Sequence, residues 1–332
     1  MASPPSHRAL VEDPDAKGLW ISPTPHLVVG EVKRWAEKAG VLPVRIPGYW
    51  MEKEGSDREI GEAPRSGEKV LYHLHGGAYA HGSAYPKDLT ANVPRGVVEY
   101  TPSVLRAFSI EYRLSKGLPL YDNENPFPAA LIDAIAGYNY LVNVVRVKPE
   151  NIIVSGDSAG GNLALALVRF LLDNQTSEVE IPHPPGELLL FSPWSDVGDS
   201  DVKPGLSMFT NIPYDYLNIT SRARTLPSKL NFLGPHGFEE ANMNRYISPA
   251  STAETMEPVS FKGFPRTLII SGGAEVLRDQ IRVLRDKMVA DMGEGQIQYL
   301  EAAASVHDYV VFKWHEPERS ETLRVVADWI TS

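Results

Sequence analysis

Asn151-Ile152-Ile153-Val154-Ser155-Gly156-Asp157-Ser158-Ala159-Gly160-Gly161-Asn162-Leu163-Ala164-Leu165 is the stretch from which the fold is read. Asn151–Ser155 is a short apolar, β-branched run, as expected of a buried strand, and Gly160–Leu172 is a helical run of Leu, Ala and Val. Between them lies G-x-S-x-G, in the strand–turn–helix setting that presents a nucleophilic serine at a sheet edge. So sharp a turn needs small neighbours, and Gly156, Gly160 and Gly161 supply them. A glycine-rich turn here could instead cradle a phosphate. The spacing G-x-G-x-x-G is absent, however, because Asp157 and Ser158 separate the glycines. Ser158 is the expected nucleophile.

Outward from this stretch, strands and helices alternate. Lys69–Leu74, Ala107–Tyr112, Glu187–Phe191, Thr267–Ser271 and Gln296–Leu300 read as strands; Pro128–Val145 and Glu318–Ile330 read as helices. Such alternation predicts an α/β fold with a mostly parallel central sheet flanked by helices. Residues 1–25 read as an extended arm, and 26–39 as an amphipathic helix stopped by Gly40. Residues 195–249, rich in Pro, Asn, Gly and aromatics, break the rhythm and are too long for bare loop. The expected organisation is an arm with cap helices over 1–60, a core over 61–194 and 250–332, and a cap insertion over 195–249.

Acyl transfer by a serine needs backbone N–H groups aimed at the developing oxyanion. His75-Gly76-Gly77-Ala78-Tyr79 follows the first strand and suits that task. The Gly77, Ala78 and Ala159 amides are the expected donors, with Gly76 freeing the turn. The methyl of Ala78 fits only if its φ is negative. Tyr79 and Asp157, which flank these two loops, are expected to meet the substrate. His75 and His73 read as structural.

These motifs resemble those of the hormone-sensitive-lipase-like α/β-hydrolases, the group that includes the arylacetamide-deacetylase-like esterases. His75-Gly76-Gly77-Ala78 is similar to the group's H-G-G-G, Glu111-Tyr112-Arg113-Leu114 to its D-Y-R-L, and Ser192-Pro193-Trp194-Ser195-Asp196 to its S-P-W-x-D. Pro126–Ala130 and Ile247-Ser248-Pro249 follow in family order, so the resemblance spans roughly residues 69–310. It implies a serine carboxylesterase acting on short- to medium-chain esters through an acyl-enzyme. A deacetylase of a small metabolite would use the same machinery.

The order along the chain in this fold is Ser, acid, His. His307 follows the last strand and a short Ala/Ser loop, the expected place for the base; His183, His236 and His315 do not fit it. The family's D-P-L-R-D corresponds to Glu275-Val276-Leu277-Arg278-Asp279, so the resemblance puts the acid at Glu275, with Asp279 and Asp196 as rivals. An amidase, lactonase or carbamate hydrolase would carry the same triad. A non-catalytic small-molecule receptor on this fold would have lost part of it.

Composition narrows the remaining choices. The 332 residues are 43% hydrophobic, carry a net charge of −10 and include no cysteine. The acidic balance argues against nucleic acid, and the missing cysteines exclude disulfides and thiolate chemistry. No apolar run approaches the ~20 residues of a membrane span, and the N-terminus has no signal-peptide pattern. The expectation is a cytoplasmic enzyme without metal or cofactor, acting on a small-molecule ester. A homodimer through an outer helix or edge strand is compatible with the sequence.

Overall fold

The computed structural model describes residues 7–11, 13, 16–56, 58–117, 124–217 and 222–332, with backbone alone over 222–225. The first six residues of the expected arm and residues 218–221 of the expected insertion lie outside them.

Eight strands form one sheet: β1 (Lys17–Ile21), β2 (Ile46–Glu52), β3 (Lys69–Leu74), β4 (Val104–Ile110), β5 (Ile152–Asp157), β6 (Glu187–Phe191), β7 (Arg266–Gly272) and β8 (Ile297–Ala302). Their order is β1-β2-β4-β3-β5-β6-β7-β8. The β1/β2 and β2/β4 pairs are antiparallel and the rest parallel. Strand β5, which leads into the expected nucleophile Ser158, is thus central, with strands on both sides.

Residues 17–21 and 46–52, placed by the sequence reading in the arm and cap, extend the sheet instead. The Pro47-Gly48 pair hides β2, because Pro and Gly ordinarily signal a break. Here Gly48 is needed for packing: a Cβ on it would meet the Phe108 ring at 2.5 Å.

The strands feed two cores by simple alternation. Val70, Tyr72 and Leu74, Ile152 and Val154, and Leu188 and Leu190 join one core. Leu71, Ile153, Leu189, Phe191, Leu268 and Ile270 join the other. The first core is covered by α1 (Gly30–Ala39), α3 (Ala129–Asn139), α4 (Ala159–Asp173) and α8 (Arg278–Met292); the second by α2 (Asn92–Tyr100) and α9 (Glu318–Thr331). Helix α2 is missed by sequence periodicity because Pro94 and Gly96 interrupt it. Gly96 is there for contact: a Cβ would lie 2.8 Å from Leu323 of α9. The expected helix over 128–145 is two elements, α3 and a π-helical turn at Tyr140–Val144.

Between β6 and β7 the chain forms α5 (Ser207–Thr210), α6 (Arg222–Leu233) and α7 (Phe238–Met243). Helix α1 packs against this segment through Trp35 on Tyr246 (ring centroids 5.1 Å apart) and through the Glu31–Arg245 ion pair. Among the described residues no helix is long and apolar enough to cross a membrane.

Candidate active site

Ser158 sits at the tip of the β5–α4 turn with φ 50° and ψ −116°, a conformation that L-residues rarely adopt. The neighbours hold it there. Its N–H donates to Phe191 O (2.9 Å), and its carbonyl accepts from Trp194 N (2.9 Å) and Asn162 N (3.1 Å). No side chain larger than hydrogen fits the flanks: a Cβ on Gly156 would strike Gly160 O, and one on Gly160 would strike Leu74 O. The last clash shows how closely the β3 exit crosses the start of α4.

That crossing carries the His75–Tyr79 loop over the serine turn. Gly77 O accepts from Ala80 N (3.0 Å) and His81 N (2.8 Å), closing a tight turn with Ala78 (φ 53°) and Tyr79 (φ 57°) at its centre. Such a turn demands two left-handed residues, so the expected negative φ at Ala78 is not what the chain adopts. Each costs roughly 1–2 kcal/mol. Among the described residues no acceptor takes the N–H of Gly77, Ala78 or Ala159. Gly76 lies against the Asp157 carboxylate, where a Cβ would clash. His75 stacks on Tyr112 at 4.2 Å, and the Tyr112 hydroxyl donates to His75 O at 2.6 Å. Burial lowers the pKa of His75, and its Nδ1 lies 2.7 Å from Gly76 O.

Neither residue expected to meet substrate lines an open wall. Asp157 is buried, with Oδ1 3.1 Å from His73 Nε2. Tyr79 is buried against Phe232 at 4.0 Å, and its hydroxyl donates to Asn162 Oδ1 at 2.7 Å. Asn162 in turn donates to Trp194 O and Ile247 O, both at 2.8 Å. One amide thus joins the oxyanion-type loop, α4, the β6 exit and the Ile247-Ser248-Pro249 turn. Its place four residues after Ser158, one helical turn into α4, is the only sequence signal for it.

His307 places Nε2 3.0 Å from Ser158 Oγ. Glu275 directs Oε1 toward Nδ1 of the same ring at 3.8 Å, while Oε2 accepts from Ser192 Oγ (2.5 Å) and Gly272 N (2.8 Å). Asp279 faces elsewhere, accepting from Ser207 N at 2.7 Å at the start of α5. Asp196 is also occupied, accepting from Gly198 N (2.9 Å) and from Ser200 Oγ. The other downstream histidines are committed too: His236 to Phe127 O, His315 to Ser305 Oγ, and His183 to Gln175. Burial works against a charged His307. The Asp308 and Glu275 carboxylates outweigh it and lift the imidazole well above the ordinary histidine range.

The β6–β7 segment reaches this site. Asn211 Nδ2 donates to Glu275 O (2.9 Å), Asp215 Oδ2 accepts from Val276 N (2.8 Å), and Ser207 Oγ donates to Val276 O (2.9 Å). The Tyr216 ring lies 6.1 Å from that of His307 and continues through Phe312 (5.5 Å) to the exposed Trp314 (5.3 Å). Tyr49 and Trp50, other aromatics of the expected cap, are core residues of β2. A cavity of about 360 Å³ lined by Arg169, Met243 and Phe264 lies at the far end of α4. It is ~16 Å along the helix from Ser158 and outside this site.

The chain is similar to known proteins along most of its length. An esterase of Acinetobacter venetianus is 27% identical over 301 residues, covering 88% of this chain and 82% of that protein. An acetyl-hydrolase of Streptomyces hygroscopicus is 26% identical, covering 80% and 75%. The crystal structure of a hormone-sensitive lipase from a metagenome library superimposes with a TM-score of 0.64 at 22% identity, a likeness of fold covering 86% of this chain and 81% of that one. The family model described as alpha/beta hydrolase fold matches residues 71–311, most of the chain and both loops of the site, and the chain belongs to that family.

Proposed function

We propose that the protein is a serine carboxylesterase that hydrolyses short- to medium-chain esters, acetyl esters among them, through an acyl-enzyme. The observation carrying this reading is the 3.0 Å contact between Ser158 Oγ and His307 Nε2, with a carboxylate on the far side of the ring. In this mechanism His307 takes the Ser158 proton as Oγ attacks the ester carbonyl. Glu275 orients the imidazole and stabilises its cation. The unpaired amides of Gly77, Ala78 and Ala159 receive the oxyanion, where one lost donor typically costs 10²–10³ in kcat. The protonated His307 then gives its proton to the departing alcohol, and water repeats the cycle on the acyl-enzyme. The segment 195–249, with α1, acts as the cap. Its Tyr216 begins an aromatic run that suits an apolar substrate group.

The test is hydrolysis of p-nitrophenyl esters of graded acyl length by wild type and Ser158→Ala. Turnover on C2–C8 esters that disappears in the variant is the expected result. A wild type inert on the whole series, or a variant as active as wild type, overturns the reading.

A further inference from the structure

The proposed mechanism leaves unused the buried carboxylate that lies beside the reacting nitrogen. Asp308 is 7% exposed, and its Oδ2 lies 3.1 Å from His307 Nε2, the nitrogen that also faces Ser158 Oγ. Its backbone is fixed independently: the N–H donates to Ser192 Oγ at 3.1 Å and the carbonyl accepts from Val311 N at 2.9 Å, with φ held at 50°. The carboxylate itself has no such structural use. Oδ1 is buried without a hydrogen-bond partner, and among the described residues the one cationic group beside Oδ2 is His307. Burying a carboxylate so poorly paired is expensive, which argues that its gain lies in the chemistry.

The two carboxylates ask opposite things of one ring. Glu275, on Nδ1, favours the tautomer that leaves the Nε2 lone pair free for Ser158. Asp308, on Nε2, favours a proton on Nε2. A neutral imidazole can satisfy one of them; an imidazolium satisfies both.

We propose that Asp308 is a further catalytic residue, which through Nε2 stabilises the imidazolium formed when Ser158 surrenders its proton and which competes with Ser158 for that nitrogen at rest. This rests on the esterase reading above. No atom is added to the reaction: the proton still passes from Ser158 Oγ to Nε2 and then to the leaving alcohol. The groups around the pair are Glu275 from the β7 exit, Asp157 at the end of β5, Ser158 itself and the Tyr216 ring from the β6–β7 segment. All the fixed charges among them are negative. Burial raises the Asp308 carboxyl to about 7 against the pull of His307, and His307 is raised as well. The rise of His307 comes from the Asp308 and Glu275 carboxylates, so its imidazolium persists to higher pH than that of an ordinary histidine. Activity therefore sets in at higher pH than an ordinary histidine allows.

The test uses Asp308→Asn, which removes charge, and Asp308→Gly, which removes the side chain; both residues tolerate the left-handed backbone. The histidine 13Cε1 shift of His307, followed against pH in a Ser158→Ala background, reports its titration without needing turnover. The expected result is a fall of about one pH unit or more in both variants. In active enzyme the acid limb of kcat/KM moves down by the same amount, and plateau kcat falls roughly tenfold. A His307 titration that stays put in both variants overturns the role of Asp308, whatever happens to the rate. Ester hydrolysis that survives Ser158→Ala overturns the esterase reading instead, so the two failures are distinguishable.

Discussion

Glu275 Oε1 stands 3.8 Å from His307 Nδ1, while Ser192 Oγ and Gly272 N–H hold the other oxygen of the same carboxylate at 2.5 and 2.8 Å. One oxygen is an anchor and the other is kept for the ring. The gap exceeds a hydrogen bond, and contacts of this kind tighten when charge develops on the imidazole. Glutamate's extra methylene is accommodated because Ser192 and Gly272 grip its carboxylate from behind.

If Glu275 is the acid, Glu275→Gln lowers kcat by roughly 10³–10⁴-fold. Asp279→Asn, which touches only the start of α5 and nearby arginines, leaves kcat within about threefold and costs ~1 kcal/mol of stability. Steady-state kinetics and urea unfolding of the two variants separate the roles. The reverse ranking would move the acid to Asp279.

Ser192 joins the acid loop to the base loop, donating to Glu275 and accepting from the Asp308 N–H. Ser192→Ala strips the anchor and leaves a buried N–H unpaired, a loss of about 1–3 kcal/mol. The expected kinetic signature is a roughly tenfold fall in kcat with KM held, because alignment is lost and binding is not. An unchanged kcat argues that Gly272 alone holds the acid.

Ala78 occupies a left-handed position where glycine carries no steric penalty. Ala78→Gly is expected to leave activity intact and to raise stability by up to ~1 kcal/mol, strain relief outweighing the entropy gained by the unfolded chain. Thermal unfolding monitored by circular dichroism measures it; a lower Tm would show the strain to be absent.

Glu111 predicts a pH dependence of stability. Burial raises its carboxyl to about 8, against hydrogen bonds from Ser83 Oγ and Ala84 N. The folded chain therefore binds this proton more tightly than the unfolded chain does. Its favourable contribution is full below pH ~4.5 and fades as pH climbs through about 8, a loss on the order of 5 kcal/mol. Glu111→Gln removes the ionisation, so the variant should lose less stability than wild type between pH 5 and 9. Parallel unfolding curves across that range would rule this out.

Much of the site is legible in the residues themselves. Strand β3 and the β5–turn–α4 unit can be read because β-branched runs, small turn residues and a Leu/Ala helix all agree locally. Strands β1 and β2 cannot: Pro47 and Gly48 look like a break until Phe108 packs on Gly48. The left-handed turn at Ala78-Tyr79 is equally hidden, since two non-glycine residues adopt it under the pull of Gly77 O.

By itself the sequence determined the mostly parallel sheet and the serine turn, because each rests on local periodicity or on neighbours a few residues apart; the expected chain order of nucleophile, acid and base follows the rule for this fold. The tertiary structure decided which carboxylates lie beside the imidazole: Glu275 and Asp308 do, while Asp279 and Asp196 are engaged elsewhere. Glu275, Asp279 and Asp308 are chemically alike in sequence; a carboxylate's role depends on what grips its two oxygens, and those partners, Ser192, Ser207 and His307, come from distant segments or, for Asp308, from a backbone angle.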